Sequence, residues 1–388
     1  MLEAPALSLL TGGEAVAVAV RQIDPDVFPV YPITPQTPII QSFAQMVADG
    51  QARTEIINVE SEHSAMSAAA AAALAGARTL TATSSQGLAL MVEVVYIAAS
   101  LRAPVVMAVG NRALSGPINI HADHSDAMLA RDTGWVQLFA ENAQEAYDLM
   151  LLAPRLAEHP EVRLPVMVGL DGFTITHSAE PVALLGDAKV QAWVGEYRHP
   201  YPLLDTANPV TVGPFAMPDS YFELRYQLQE ALERVPGVLE ALCRGYARLS
   251  GREYAAFESY RLEDAERALV VMGSAAGTAK EAIDRLREQG EKVGLLKLRL
   301  FRPFPAQALR EALAHVPHVA VLDRALSLGS FPPLYAEVCA ALYGSPTRLQ
   351  SYAGGLGGRE IYTEDLMRLF GELAELPAGP TRYVGLRR

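Results

Sequence analysis

Cysteine is scarce in this chain: only Cys243 and Cys339 occur in 388 residues. An iron–sulfur cluster is normally held by about four thiolates at short spacings, so the chain carries no cluster by itself. A disulfide between two such distant cysteines stays open, but two reduced core thiols is the simpler reading. Positive charge is also short. The 32 Lys and Arg against 44 Asp and Glu leave a net charge of −12, which offers nothing to displace counterions from a nucleic acid. Long uninterrupted apolar runs are missing too. The most apolar stretch, Leu88–Gly110, contains Glu93, Arg102 and Pro104, and reads as a buried helix followed by a strand, so no membrane span is expected. The opening MLEAPALSLL lacks the basic region of a secretory signal, and the expected compartment is the cytoplasm. No short-period repeat occurs, which excludes a solenoid.

What is present is an alternation of helical periodicity with short, fully apolar strands. Helices are predicted over Glu14–Arg21, Gln41–Asp49, Ser61–Ala75 (with Gly76 as its cap) and from Gly87 to Leu101. Strands are predicted over Phe28–Ile33, Glu55–Val59, the run ARTLTATS, Ala103–Gly110 and Leu164–Phe173. Strands without polar alternation are buried on both faces, as in a parallel sheet covered by helices, so the class is α/β. Prolines at 200, 202, 209, 214 and 218 mark an extended connector from about residue 180, packed on a partner, before a helical Ser220–Ser250. A second α/β unit opens near Ala268, with strands Ala268–Ser274, within KVGLLKLRLFRPFP and His318–Ala325, and a helix Ala276–Gln289. The expected domains are 1–255 and 256–388.

Four segments carry chemistry. In Tyr31-Pro32-Ile33-Thr34-Pro35 the prolines stiffen the backbone and leave the Thr34 hydroxyl at a strand's carboxyl end, where open parallel sheets bind ligands; a simple strand terminator explains it equally well. In Asn58-Val59-Glu60-Ser61-Glu62-His63 the acids complement a helix dipole, yet the run Ala68–Ala73 beyond them also permits very close approach of a cofactor or subunit. Thr83-Ser84-Ser85-Gln86-Gly87 is a polar loop whose backbone N–H groups suit a phosphate or ring edge; it lacks a P-loop lysine. Arg112, directly after an apolar strand, is costly to bury without an anionic partner. The polar run His121, Asp123, His124, Asp126 and Arg131 has residue types that ligate metals, but reads better as a hydrogen-bonded loop supporting a site.

YPITPQTPI, VESEHSAMSAAAAAALAGARTLTATSSQGLALM and VGNRALSGPINIHADHSDAMLARDTGW, in that order, resemble domain I of the pyruvate:ferredoxin oxidoreductases. LLKLRLFRPFP followed by VAVLDRALSLGS is similar to that family's second, transketolase-C-terminal-like domain. The likeness runs through almost the whole chain and is weakest over about 190–255. It implies a thiamine-diphosphate-binding, pyrimidine-type parallel-sheet domain followed by a smaller α/β domain. It further implies that Glu62 contacts the cofactor aminopyrimidine, that Pro32, Ser85 and Gln86 lie against the cofactor, and that Thr34 and Arg112 bind the substrate carboxylate region. Asn111 stands where many members have alanine.

By the same resemblance a carboxylate on the pyrimidine ring nitrogen lets the cofactor's own amino group take up the thiazolium proton. Thiamine enzymes anchor the diphosphate through magnesium on a GDG-initiated motif, which is missing; Leu170-Asp171-Gly172-Phe173 reads as a structural strand end. The implied enzyme is therefore an α subunit, active only with a β subunit that brings the diphosphate, magnesium and a 4Fe–4S cluster, alongside γ and ferredoxin-like δ subunits. No metal site is expected in this chain. Pyruvate, coenzyme A and ferredoxin are the implied substrates, because relatives acting on other 2-oxo acids carry RGGPSTG-like or RGGPGLG-like text at RALSGPINIHADH. The alternatives are the same scaffold acting on 2-oxoglutarate or a branched-chain 2-oxo acid, and a non-catalytic scaffold subunit.

Overall fold

The computed structural model describes residues 6–373, Glu375 and residues 379–387; the first five residues of the opening segment and Arg388 lie outside them. Two sheets organise the chain. In the first, five strands lie in the spatial order Leu300–Arg302, Val136–Phe139, Val166–Asp171, Val106–Asn111, Leu80–Thr83, the last four parallel. A parallel pair, Val27–Val30 with Glu55–Asn58, continues it through a bridge between Val27 and Thr79. The four central strands are buried at every position, as their unbroken apolar text requires. Helices Gly12–Ile23, Ala143–Ala157 and residues 228–246 of helix Tyr221–Ser250 cover one face. Helices Glu62–Ala75 and Ser85–Ser100 cover the other.

Local chemistry explains the helix boundaries. Thr11 and Glu14 form a reciprocal capping box at the start of Gly12–Ile23. Ser61 caps Glu62–Ala75, which ends at Gly76 with φ +111°, a conformation that glycine adopts without strain. Alanines of the run predicted to allow close approach do so internally: Ala69, Ala70 and Ala73 pack against Leu88, Met91 and Val95. Trp135 Nε1 donates to Val95 O at 2.8 Å and anchors the next strand beneath that helix pair.

The second sheet has the order Arg382–Tyr383, Arg348–Ala353, His318–Asp323, Arg267–Met272, Val293–Leu298, Phe257–Tyr260, and only the last strand is antiparallel. The run predicted as one strand in KVGLLKLRLFRPFP divides. Val293–Leu298 joins the second sheet, whereas Leu300–Arg302 pairs antiparallel with Val136–Phe139 on the first. The chain thus stitches its two sheets together within four residues, 299 to 302. Three further corrections follow. Tyr31–Ile33 is irregular, because proline cannot supply the ladder N–H. The region from about 180 is structured at first: Ala179–Leu184 pairs antiparallel with Ala6–Thr11, and Asp187–Val194 is helical. Only about 196–220 fits the extended connector, carrying the exposed apolar residues Leu204, Phe215 and Met217. Both cysteines are unpaired, but Cys339 is only half-buried while Cys243 is in the core.

Candidate active site

Six parallel strands end at one edge of the first sheet, and the predicted site residues come from the loops that leave it. Thr34 follows Val27–Val30, and Glu62 follows Glu55–Asn58. Ser85 and Gln86 follow Leu80–Thr83, and Arg112 follows Val106–Asn111. That edge is the usual binding side of an open parallel sheet.

Thr34 and Arg112 are brought together. Arg112 Nη1 donates to Thr34 O at 2.8 Å and Nε to Asn119 O at 3.2 Å. The residue is 7% exposed, and its guanidinium meets no carboxylate among the described residues. A buried cation coordinated only by carbonyl oxygens keeps free donors for an anion. The Thr34 hydroxyl has no hydrogen-bond partner among the described residues, and Pro32 is exposed at the rim.

Glu62 opens its helix at the first turn and is also 7% exposed. No described residue donates to its carboxylate. Its neighbour is Gly87, where an added Cβ would stand 2.8 Å from Glu62 Oε1 and 2.5 Å from Thr83 Oγ1. Glycine there leaves the carboxylate room beside the next helix. Thr83 Oγ1 and Ser84 Oγ are buried without partners, as is Gln36 Oε1, whose amide nitrogen is held by Tyr31 O and Ala82 O. Buried polar atoms are rarely left unpaired, so this concentration at one strand edge marks a place that expects a ligand.

Ser85 and Gln86 are committed differently. Ser85 Oγ lies 2.7 Å from both Ala113 O and Gln86 Oε1, and Gln86 Oε1 accepts from Ser115 N at 3.0 Å. They fasten the loop after Arg112 to the start of helix Ser85–Ser100. The expected free N–H edge is corrected here, since Ser85 N donates to Asp126 Oδ2 at 3.0 Å. Asp126 Oδ2 also accepts from Arg112 N, and Oδ1 from Asn111 Nδ2 and Ala127 N. Burial pushes the Asp126 carboxyl up to about 6 against the pull of these donors. Asn111 thus orients the acid that fixes Arg112, and Gly169 leaves room for it: an added Cβ there would lie 2.7 Å from Asn111 Oδ1.

The polar run does not converge on one point. His124 Nε2 lies 2.7 Å from Asp171 Oδ1, and Asp123 accepts from Ser125. Asp171 Oδ2 meets Arg324 Nη1 at 2.5 Å and Ser274 N at 2.8 Å, so the strand end predicted as structural ties the two sheets. Burial would raise the Asp171 carboxyl, but Arg324 and His124 outweigh it and hold it well below the usual range. A second junction gathers Glu141, Glu145 and Glu258 closely enough to suit a cation. Lys297 Nζ already occupies their centre, at 2.5, 2.6 and 2.6 Å.

The family model described as "Pyruvate flavodoxin/ferredoxin oxidoreductase, thiamine diP-bdg" matches residues 18–243, more than half of the chain. The chain belongs to this family. The model of the pyruvate:ferredoxin oxidoreductase core domain II matches residues 265–366. Pyruvate synthase subunit PorA of Thermotoga maritima is 56% identical over 382 residues, covering 97% of each chain. Ketoisovalerate oxidoreductase subunit VorA of Pyrococcus abyssi is 41% identical over 365 residues, covering 93% of this chain and 92% of its own. In fold, the 2-oxoglutarate:ferredoxin oxidoreductase from Magnetococcus marinus superposes with a TM-score of 0.75 at 20% identity, over 94% of this chain and 65% of that one. The resemblance read from the YPIT, ESEH and NRALS segments therefore names the right family and fold. Gln36 and Asn119 went unremarked in the sequence, and Gly87 was named only as the end of a polar loop; Gln36, adjacent to the Thr34-Pro35 motif, had a local signal.

Proposed function

We propose that this chain is the pyrimidine-binding α subunit of a thiamine-diphosphate-dependent pyruvate:ferredoxin oxidoreductase, which oxidatively decarboxylates pyruvate to acetyl-CoA and carbon dioxide and also runs in the synthetic direction. The observation that carries the reading is the pair of buried, unpartnered charges, Glu62 and Arg112, at the carboxyl edge of the parallel sheet. The pocket fits the cofactor's aminopyrimidine: a carboxylate at a helix start, room made by Gly87, and the unpartnered Thr83 and Ser84 hydroxyls beside it. When bound, thiamine diphosphate supplies the thiazolium carbon that adds to the 2-oxo carbon and holds the electrons left behind as carbon dioxide departs.

The chain's own residues do the rest. Glu62 holds a proton against the pyrimidine ring nitrogen and so sets the tautomer of the amino group. Arg112 pairs with the substrate carboxylate, and the Thr34 hydroxyl beside it orients that group for departure. Pro32 lines the rim, and Ser85 and Gln86 hold the Arg112 loop against the cofactor side. The boundary between the pyrimidine-type and second domains lies near residue 255.

The diphosphate, magnesium and 4Fe–4S clusters belong to partner subunits: a β subunit completing this site, with γ and ferredoxin-like δ subunits. Coenzyme A takes the acyl group and ferredoxin the electrons, in the cytoplasm. Among the described residues no helix is long and apolar enough to cross a membrane. Pyruvate is favoured over a branched-chain acid because the relative named for pyruvate is 56% identical and that named for ketoisovalerate 41%. Steady-state oxidation of a panel of 2-oxo acids by the assembled complex tests this. Pyruvate is expected to show the highest kcat/KM; a preference for 2-oxoglutarate or ketoisovalerate overturns the assignment.

A further inference from the structure

The loop that carries Arg112 is held from two sides, and only one of them belongs to the first sheet. Asp126 grips its start, as described above. Its far side, residues 119 to 122, rests on a glycine-rich loop of the second unit, Gly354-Gly355-Leu356-Gly357-Gly358. Asn119 Nδ2 donates to Gly357 O at 3.0 Å, and Gly358 N donates to Ala122 O at 2.7 Å. Gly357 and Gly358 have φ of +58° and +77°. A Cβ added to Gly357 would stand 2.5 Å from Asn119 Nδ2, and one added to Gly358 would stand 2.4 Å from His121 Cβ. No side chain fits at either position, so the backbone of one unit lies directly against the loop of the other.

Asn119 connects this contact to the guanidinium. Its carbonyl accepts from Arg112 Nε at 3.2 Å, its Oδ1 accepts from His121 N at 2.7 Å, and its Nδ2 reaches the second unit. The glycine loop is itself anchored: Gly354 N donates to Asp323 O at 3.0 Å, and Arg324 Nη2 to Gly355 O at 3.3 Å. Arg324 also holds Asp171. Hydrogen bonds at both ends of the glycine loop thus connect the second sheet, through the loop's backbone and Asn119, to Arg112.

We propose that Asn119 is a positioning residue through which the glycine loop of the second unit sets the Arg112 guanidinium, so that the second unit contributes to recognition of the substrate carboxylate. The proposal rests on the reading of Arg112 as the carboxylate-binding residue. Asn119→Asp keeps the shape and the Oδ1 acceptor but sets a carboxylate oxygen against the Gly357 carbonyl. In the assembled complex it raises KM for pyruvate about tenfold, with kcat nearly kept, the signature of substrate binding lost equally in the ground and transition states. Gly358→Ala acts in the same direction. A double-mutant cycle separates positioning from a general structural role: in an Arg112→Ala background, Asn119→Asp has no further effect on KM. An equal KM effect of Asn119→Asp with and without Arg112, or none in either, overturns the proposal. If Arg112→Ala itself leaves KM unchanged, the site reading fails, and the positioning role with it.

Discussion

Two buried regions of this molecule are rich in charge, and they are built on opposite rules. At the junction between the sheets every charge is answered. Lys297 sits among Glu141, Glu145 and Glu258; Arg299 reaches Glu145 and Glu258; Arg324 reaches Asp171. At the strand edge, Glu62 and Arg112 are as deeply buried and are left without an opposite charge among the described residues. A closed network stabilises a particular arrangement of its own elements, because removing one member strands the others. An open one retains the capacity to bind. Burial of charge alone does not separate the two regions: the junction's three carboxylates lie close enough to suit a cation, and the Lys297 ammonium already fills that place.

Mutation can break that contrast from either side. The largest expected effect is on stability: Lys297→Met leaves three close carboxylates facing one another and costs about 3–5 kcal/mol, read as a lowered Tm and urea midpoint, with KM of the surviving complex unchanged. A KM shift of similar weight would mean that the junction belongs to the site. Next, Arg112→Lys keeps the charge but loses the planar fork, and raises KM for pyruvate roughly tenfold without moving Tm. The smallest effects are pH-dependent and opposite in sign. Burial raises the Glu145 carboxyl, yet Arg299 and Lys297 outweigh it and hold it down to about 2. Its contribution is therefore present above the unfolded value near 4.5 and lost as pH falls toward 2. Asp126, raised from 3.8 to about 6, contributes most below its unfolded value and loses that contribution as pH rises through 6. Glu145→Gln should flatten the acid limb of a Tm-versus-pH curve, and Asp126→Asn its slope between about pH 4 and 6; unchanged slopes would count against these shifts.

Much of the strand edge was legible because its signals are local. An apolar run, a proline pair or a capping serine states its own conformation, so the residues at strand ends could be named from text alone. What could not be read depends on residues far apart. The pairing of Ala6–Thr11 with Ala179–Leu184, and of Leu300–Arg302 with Val136–Phe139, joins segments with no shared local pattern. Strand formation there is decided by the surface offered rather than by propensity. The junction was invisible for the same reason, since Lys297 and Glu145 are 152 positions apart. Ser85 shows the subtler limit. Its loop was recognised, but the hydrogen bond of its backbone N–H to Asp126 arises only once the neighbouring strand is in place.

The central claim is that Glu62 is left open for a cofactor, and Glu62→Ala in the assembled complex tests it most directly. The account predicts a fall of at least about two orders of magnitude in pyruvate-dependent ferredoxin reduction, the usual scale for a proton-transfer group. Subunit assembly and Tm should be unchanged, because no described residue depends on that carboxylate. Turnover at the level of the unsubstituted complex would contradict the account and support a scaffold role for the chain.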